Sequence, residues 1–200
     1  FEVIAEACRL LAESGLAEGG LELEWRVAGL KEDDWLVRAV RRLLGDRYPK
    51  RGLRFLGRCD AAGLVDSMLG ADVYVQASHI ENSPNSLAEA MVLGMPCVAT
   101  LAGGTGSYVR DGETGLLLQV GDPEGLAGAV LELVRDRAKA ARLGTAARAV
   151  ARERHDPSRV REQLQRAYDA ILGDDVILED AAILEDDGIL EKDGGEYAGQ

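Results

Sequence analysis

The chain has little of what metal or disulfide chemistry needs. Its 200 residues include two histidines and three cysteines. Cys8, Cys59 and Cys97 lie far apart and form no Cys-x-x-Cys pair. This argues against a zinc site and against a disulfide framework. The apolar neighbours of the cysteines suit small core residues in a reducing compartment, which points to the cytoplasm. Long hydrophobic runs are also missing. The longest apolar-leaning stretch, residues 93–102, contains Pro96 and is far shorter than the roughly 20 residues of a membrane helix. No basic-then-apolar leader opens the chain. It starts with Phe1, inside a helical pattern, and reads as a piece of a longer protein.

Bases are the scarcer charge, 23 Lys and Arg against 35 Asp and Glu. A nucleic-acid partner is therefore not expected. The imbalance is local: residues 173–200 hold ten of the acids and one base. Residues 1–172 read as a nearly neutral domain, and residues 173–200 as an acidic, disordered tail. The Ile-Leu pairs of that tail leave open a segment that docks on a basic partner.

Familiar phosphate and nucleophile motifs are absent as well. There is no G-x-x-x-x-G-K-[ST] loop and no G-x-S-x-G elbow, and Gly104-Thr-Gly106 lacks the third glycine of a dinucleotide fingerprint.

What is present is an alternation of helix and strand signals. Helices are expected at 1–14, 35–44, 61–69, 86–93, 123–135, 138–152 and 158–172, with Leu36, Val40, Leu43 and Leu44 inward on the second. Strands are expected at 21–28, 53–56, 73–77, 96–100 and 115–120. Such alternation implies an α/β fold, a parallel sheet with helices on both faces. Ligands on these sheets bind beyond the carboxyl ends of the strands. The loops to inspect are thus 57–61, 78–85 and 101–107.

The loop at 78–85 is the most informative. It carries Glu81 and runs into a helix for which Asn85 or Ser86 is the expected N-cap, with Ser86 to Glu89 reading as a capping box. A helix N-terminus at a strand's carboxyl end is a ready site for a diphosphate. Glu81 and Glu89 are eight residues apart, but so are Glu24 and Glu32, and Glu124 and Glu132. Spacing alone therefore decides nothing; placement does. A carboxylate one turn inside that helix can accept two hydrogen bonds from vicinal hydroxyls, or it can serve only its own helix cap.

The stretch ASHIENSPNSLAEAMVLGMPCVATLAGG, followed by DGETGLLLQVGDPEGLAGAV, resembles the donor-binding C-terminal domain of glycosyltransferase family 4 (group 1), retaining enzymes of the GT-B fold. The likeness runs over about residues 1–172. It implies a Rossmann-like domain, the C-terminal half of a GT-B enzyme, that lacks its first strand. It implies a nucleoside-diphosphate sugar as donor, no cofactor and no metal. By the same resemblance Glu89 holds the ribose hydroxyls, and Glu81 sits at the transferred sugar near the reacting carbon. Asn85, Ser86 and Leu87 present amides to the diphosphate. Gly57, Arg58 and Cys59 lie beside the base, and Gly103 and Gly104 form a turn that lets backbone approach the donor.

The sequence also departs from the family. Glu81-Asn-Ser-Pro84 replaces the frequent E-G-F-G, and Pro84 has no N–H to offer. An N-terminal acceptor domain, through which any peripheral membrane contact would run, and the Arg and Lys that neutralise the diphosphate are not in this chain. A piece so truncated is expected to be marginally stable and inactive alone. Other readings of the same fold are a sugar-nucleotide 2-epimerase and a non-catalytic nucleotide-sugar-binding module.

Overall fold

The computed structural model describes residues 1–16 and 19–172. The acidic tail expected at 173–200 lies outside the described residues. The chain divides into two compact units, Phe1–Arg154 and His155–Gln200. Of the second, one helix is described, Pro157–Leu172, which has no buried residue.

The first unit alternates helices and strands in the order α1 (Glu2–Glu13), β1 (Trp25–Ala28), α2 (Trp35–Leu44), β2 (Leu53–Gly57), α3 (Ala61–Leu69), β3 (Tyr74–Gln76), α4 (Asn85–Leu93), β4 (Cys97–Thr100), β5 (Leu116–Leu118), α5 (Pro123–Arg135) and α6 (Arg137–Arg154). All pairings between these strands are parallel. The helices at 35–44, 61–69 and 123–135 begin and end where the sequence places them. Their starts are written in local chemistry: Asp60 and Asp122 each accept a hydrogen bond from the third amide along, Gly63 and Gly125, at 2.8 Å, and Pro123 occupies the first turn of α5.

The strands do not form one sheet. β1 pairs with β2, and β3, β4 and β5 form a separate three-stranded sheet with β4 in the middle. The doubly wound order 3-2-1-4-5-6, deprived of its first strand, leaves a pair and a triple. β2-β1 and β3-β4-β5 have the order of that pair and that triple. The two pieces are held by side chains. Leu23 and Trp25 from one side, and Val73, Val75 and Ala77 from the other, pack on a common core built from Val3, Ala7 and Leu11 of α1 and Leu126, Val130 and Leu133 of α5. Each fully buried side chain of this kind contributes about 1.5–3 kcal/mol.

Strand parity sorts the three-stranded sheet. Val98 and Leu116 face the α1–α5 layer, whereas Cys97, Ala99 and Leu117 face α4 and α6. β4 is buried along its whole length because both faces are covered. α4 and α6 approach closely, and the reason is backbone: a Cβ on Gly144 would collide with the carbonyl oxygen of Gly94.

Two expectations need correction. The strand expected at 21–28 is limited to its last four residues, since β1 finds its ladder only opposite Leu53 to Gly57. In α2, Leu43 is exposed, and Val37 takes the inward position beside Val40 and Leu44. The 3.6-residue period places Val37 and Val40 on the stripe that meets α1, and Leu43 falls off it.

Candidate functional site

The site is built on the three-stranded sheet. Val73, Val75 and Ala77 face the α1–α5 core, so parity turns Tyr74 and Gln76 toward α4. β3 then ends, and the chain forms the loop that carries Glu81. This loop is seated on backbone. The amide of Gly104 donates to the carbonyl of Glu81 at 3.3 Å. A Cβ on Gly103 would overlap the carbonyl oxygen of Glu81, and one on Gly104 that of Asn82. Gly103 also has φ +48°, where side chains are strained. The 3₁₀ turn over Gly103–Ser107 is therefore a floor under the Glu81 loop. The far side of the loop is tied by Ser83, whose Oγ lies 2.8 Å from the hydroxyl of Tyr108. The guanidinium of Arg154 stacks over the Tyr108 ring at 3.9 Å and donates to the carbonyl of Ser107 at 2.6 Å.

Glu81 is half-buried, and both its carboxylate oxygens are engaged. Oε1 accepts from the amide of Asn82 at 3.0 Å, and Oε2 accepts from the side-chain amide of Gln76 at 2.8 Å.

The helix that follows starts differently from the expectation. α4 spans Asn85–Leu93, its N-cap is Pro84, and no side chain caps it. The capping box expected from Ser86 to Glu89 does not form. Ser86 lies inside the first turn, and its hydroxyl accepts from the phenol of Tyr74 at 2.9 Å, while Glu89 is exposed. Ala88 is the first residue of the helix whose amide bonds to the chain, through the carbonyl of Pro84 at 3.0 Å. Among the described residues, the amides of Asn85, Ser86 and Leu87 have no protein acceptor. An uncapped N-terminus beside a strand's carboxyl end is what an anion needs.

Tyr74 reports on both carboxylates. Burial pushes its phenol up to about 12, against the opposing bond to Ser86 and with a smaller push from the Glu89 and Glu81 carboxylates.

Not every expected site residue joins this cluster. Gly57, Arg58 and Cys59 stand at the end of β2, in the other sheet, and no hydrogen bond or ion pair links them to Glu81 or to α4. Gly57 exchanges backbone bonds with the preceding loop, accepting from Gly29 at 2.7 Å and donating to Leu30 at 2.9 Å. Cys59 is only half-buried, whereas Cys8 and Cys97 are buried; all three are free thiols. A cavity of about 700 Å³ also avoids Glu81. It runs along the free edge of β2, among Lys31, Lys50, Arg51 and Arg54, and touches the expected site only at Gly57 and Arg58. Charged side chains there guard an unpaired strand edge, and we place the site at the hydrogen-bonded cluster instead.

His79 is exposed, with Nε2 3.6 Å from a carboxylate oxygen of Glu2. Among the described residues no group of three or more His, Cys, Asp or Glu could hold a metal ion, and no helix is long and apolar enough to cross a membrane.

Gln76, Ser83, Tyr108 and Thr100 escaped the sequence reading. A signal existed for Gln76: it is the polar residue on the covered parity of an otherwise apolar strand. Nothing local marks Tyr108, which reaches Ser83 across 25 positions.

Comparison with known proteins agrees with this architecture. The phosphatidyl-myo-inositol mannosyltransferase of Mycobacterium leprae (strain TN) is 40% identical over 121 residues, 60% of this chain and 32% of that protein. The N-acetyl-alpha-D-glucosaminyl L-malate synthase of Bacillus anthracis is 31% identical over 121 residues, 60% of this chain and 31% of that protein. The chain thus spans about a third of the length of these relatives. Among solved structures, Anabaena Alr3699/HepE in complex with UDP and glucose superposes with TM-score 0.66 at 23% identity, over 80% of this chain and 44% of that one. These likenesses in structure establish the fold, that of the Rossmann-like half of a GT-B glycosyltransferase. The family model for glycosyl transferases group 1 matches residues 5–150, and the chain belongs to that family.

Proposed function

We propose that this chain is the donor-binding half of a retaining glycosyltransferase that moves a sugar from a nucleoside-diphosphate sugar to an acceptor held by another part of the whole protein. The observation that carries the reading is the uncapped start of α4. Three amides, on Asn85, Ser86 and Leu87, stand without protein acceptors beside a carboxylate loop fastened to Gly103 and Gly104. The UDP and glucose bound to HepE support a donor of this chemical class.

The diphosphate sits on the α4 amides, where the helix dipole stabilises the charge that develops as the sugar departs. Glu89, exposed in the first turns of α4, accepts from the ribose hydroxyls. Glu81 stands at the transferred sugar and holds its hydroxyls near the reacting carbon. The loop of Gly57, Arg58 and Cys59 borders the base. Three free thiols suit work in the cytoplasm.

The test uses the full-length protein and a panel of nucleoside-diphosphate sugars. Glu89→Ala weakens donor binding about tenfold or more, as loss of charge-assisted hydrogen bonds predicts, and calorimetry reads it. Glu81→Ala cuts turnover more than affinity. Proton NMR of the product shows the donor's anomeric configuration retained. Normal binding and normal rates in both variants would refute the reading. Isomerised donor in the absence of acceptor would instead identify a 2-epimerase, and binding without any turnover a nucleotide-sugar-binding module.

A further inference from the structure

Gln76 is a polar side chain in a place built for apolar ones. It is the last residue of β3 and only 8% exposed. Its neighbours on the strand, Val75 and Ala77, pack into the α1–α5 core. Burying an amide there is unfavourable unless its polar atoms are engaged. Its Oε1 is not: it is buried without a hydrogen-bond partner. The Nε2 is engaged, by Ser78 Oγ at 3.4 Å and by the Glu81 carboxylate at 2.8 Å. A leucine would fill this position without an orphaned oxygen. The amide that is present serves Glu81.

The root of Gln76 is fixed. Thr100 of β4, itself buried, donates from its hydroxyl to the carbonyl of Ser78 at 2.6 Å and approaches that of Gln76 at 3.4 Å. Gln76 also lies in register with Ala99 in the parallel ladder. The other Glu81 oxygen is held by the amide of Asn82, and the main chain of both residues rests on Gly103 and Gly104. The carboxylate is therefore held at one oxygen by its own loop and at the other by the sheet. A loop amide alone leaves the carboxylate free to swing with its loop. The bond from Gln76 joins its orientation to β3, which is laddered to the buried middle strand β4.

We propose that Gln76 is the positioning residue that sets the orientation of the Glu81 carboxylate, and so governs turnover without touching the donor's diphosphate. This rests on the reading of Glu81 given above.

The experiment is a double-mutant cycle in the full-length protein, with kcat, donor KM and melting temperature measured for each variant. Gln76→Met keeps the length and volume of the side chain and removes the N–H donor. Glu81→Asp shortens the carboxyl so that it withdraws from the amide while leaving turnover to follow. The expected result is that Gln76→Met lowers kcat about tenfold or more, leaves donor KM within about threefold, and melts as a folded protein. In the Glu81→Asp background the same substitution changes kcat less than twofold, because the interaction is already gone. Gln76→Glu, which sets a second carboxylate against the first, lowers kcat further than Gln76→Met.

Equal losses from Gln76→Met in both backgrounds would assign Gln76 a structural role only and overturn the proposal. So would unchanged kcat, or a change confined to KM. The two readings separate cleanly. If Glu81→Ala itself keeps full turnover, the function assigned to Glu81 fails and the proposal falls with it. If Glu81→Ala abolishes turnover while Gln76→Met is silent, only the proposal falls.

Discussion

The two sheets of the first unit differ in how their residues are held. The three-stranded sheet is covered on both faces, its middle strand β4 is buried throughout, and the loop that leaves it is bonded on several sides. The two-stranded sheet leaves the outer edge of β2 unpaired. Of the five residues of β2 only Gly57 is buried, and a groove of about 700 Å³ runs along its side. The diphosphate and sugar parts of the proposed site belong to the first sheet, and the base part to the second. Chemistry that needs a carboxylate held within fractions of an ångström is placed where packing is dense. Recognition of a flat base tolerates the looser half. Both halves pack on the same α1–α5 core.

The comparison is broken most directly at glycine. Gly103→Ala forces a Cβ into the Glu81 carbonyl at a positive φ. Turnover of the full-length protein should fall at least about 100-fold, with a stability loss of about 2–4 kcal/mol from overlap and strain together. Gly29→Ala in the other half has φ +85° but no atom within 4 Å. It should cost about 1 kcal/mol of strain and leave kcat within a few fold. Equal effects, read by steady-state kinetics and thermal melts, would show that the two halves are equally tight.

Truncation of side chains sharpens the contrast. Leu87 is fully buried under α4, and Leu87→Ala should cost about 2–5 kcal/mol. Leu53, at the start of β2, is only half-buried, and Leu53→Ala should cost less than about 2 kcal/mol. Urea denaturation of the same protein measures both.

The smallest effect is a titration. Two thiols are buried, Cys97 in β4 and Cys8 in α1. Burial pushes Cys97, in β4, up to about 12, and Cys8, beside the carbonyl of Arg51, up to about 11, from an ordinary 9.0. Above pH 9 the unfolded thiols lose their protons while the folded ones keep theirs. The folded state then binds more protons, and stability falls as pH rises from 9 toward 11. Stability below pH 9 carries no dependence on these groups. Cys97→Ala should remove more of the alkaline slope than Cys8→Ala, as melts at a series of pH values will show. An unchanged slope in both variants would mean that neither thiol is shielded.

Much of this was legible in the chain itself. The helices at 35–44, 61–69 and 123–135 follow from apolar period, and the last two also from the caps of Asp60 and Asp122. The Glu81 loop was legible because a strand pattern stops just before it and a helix pattern starts just after. The capping box expected at Ser86 does not form because α4 already starts at Asn85, with Pro84 as its N-cap, so Ser86 falls inside the first turn. Leu43 was misplaced because the stripe that α2 buries depends on where α1 lies. Gln76 lies inside the expected strand 73–77, and its role depends on Glu81, five positions on, folding back over it.

The sequence by itself determined the alternation of helix and strand, the parity of each strand and the place of the carboxylate loop, because these depend on residues within one or two turns of each other. Only the tertiary structure decided that the strands divide into a pair and a triple and that Gly103 and Gly104 carry the Glu81 loop. Those outcomes depend on backbone meeting backbone across 20 or more positions, as Glu81 meets Gly104, and no local pattern encodes which distant carbonyl a missing Cβ makes room for.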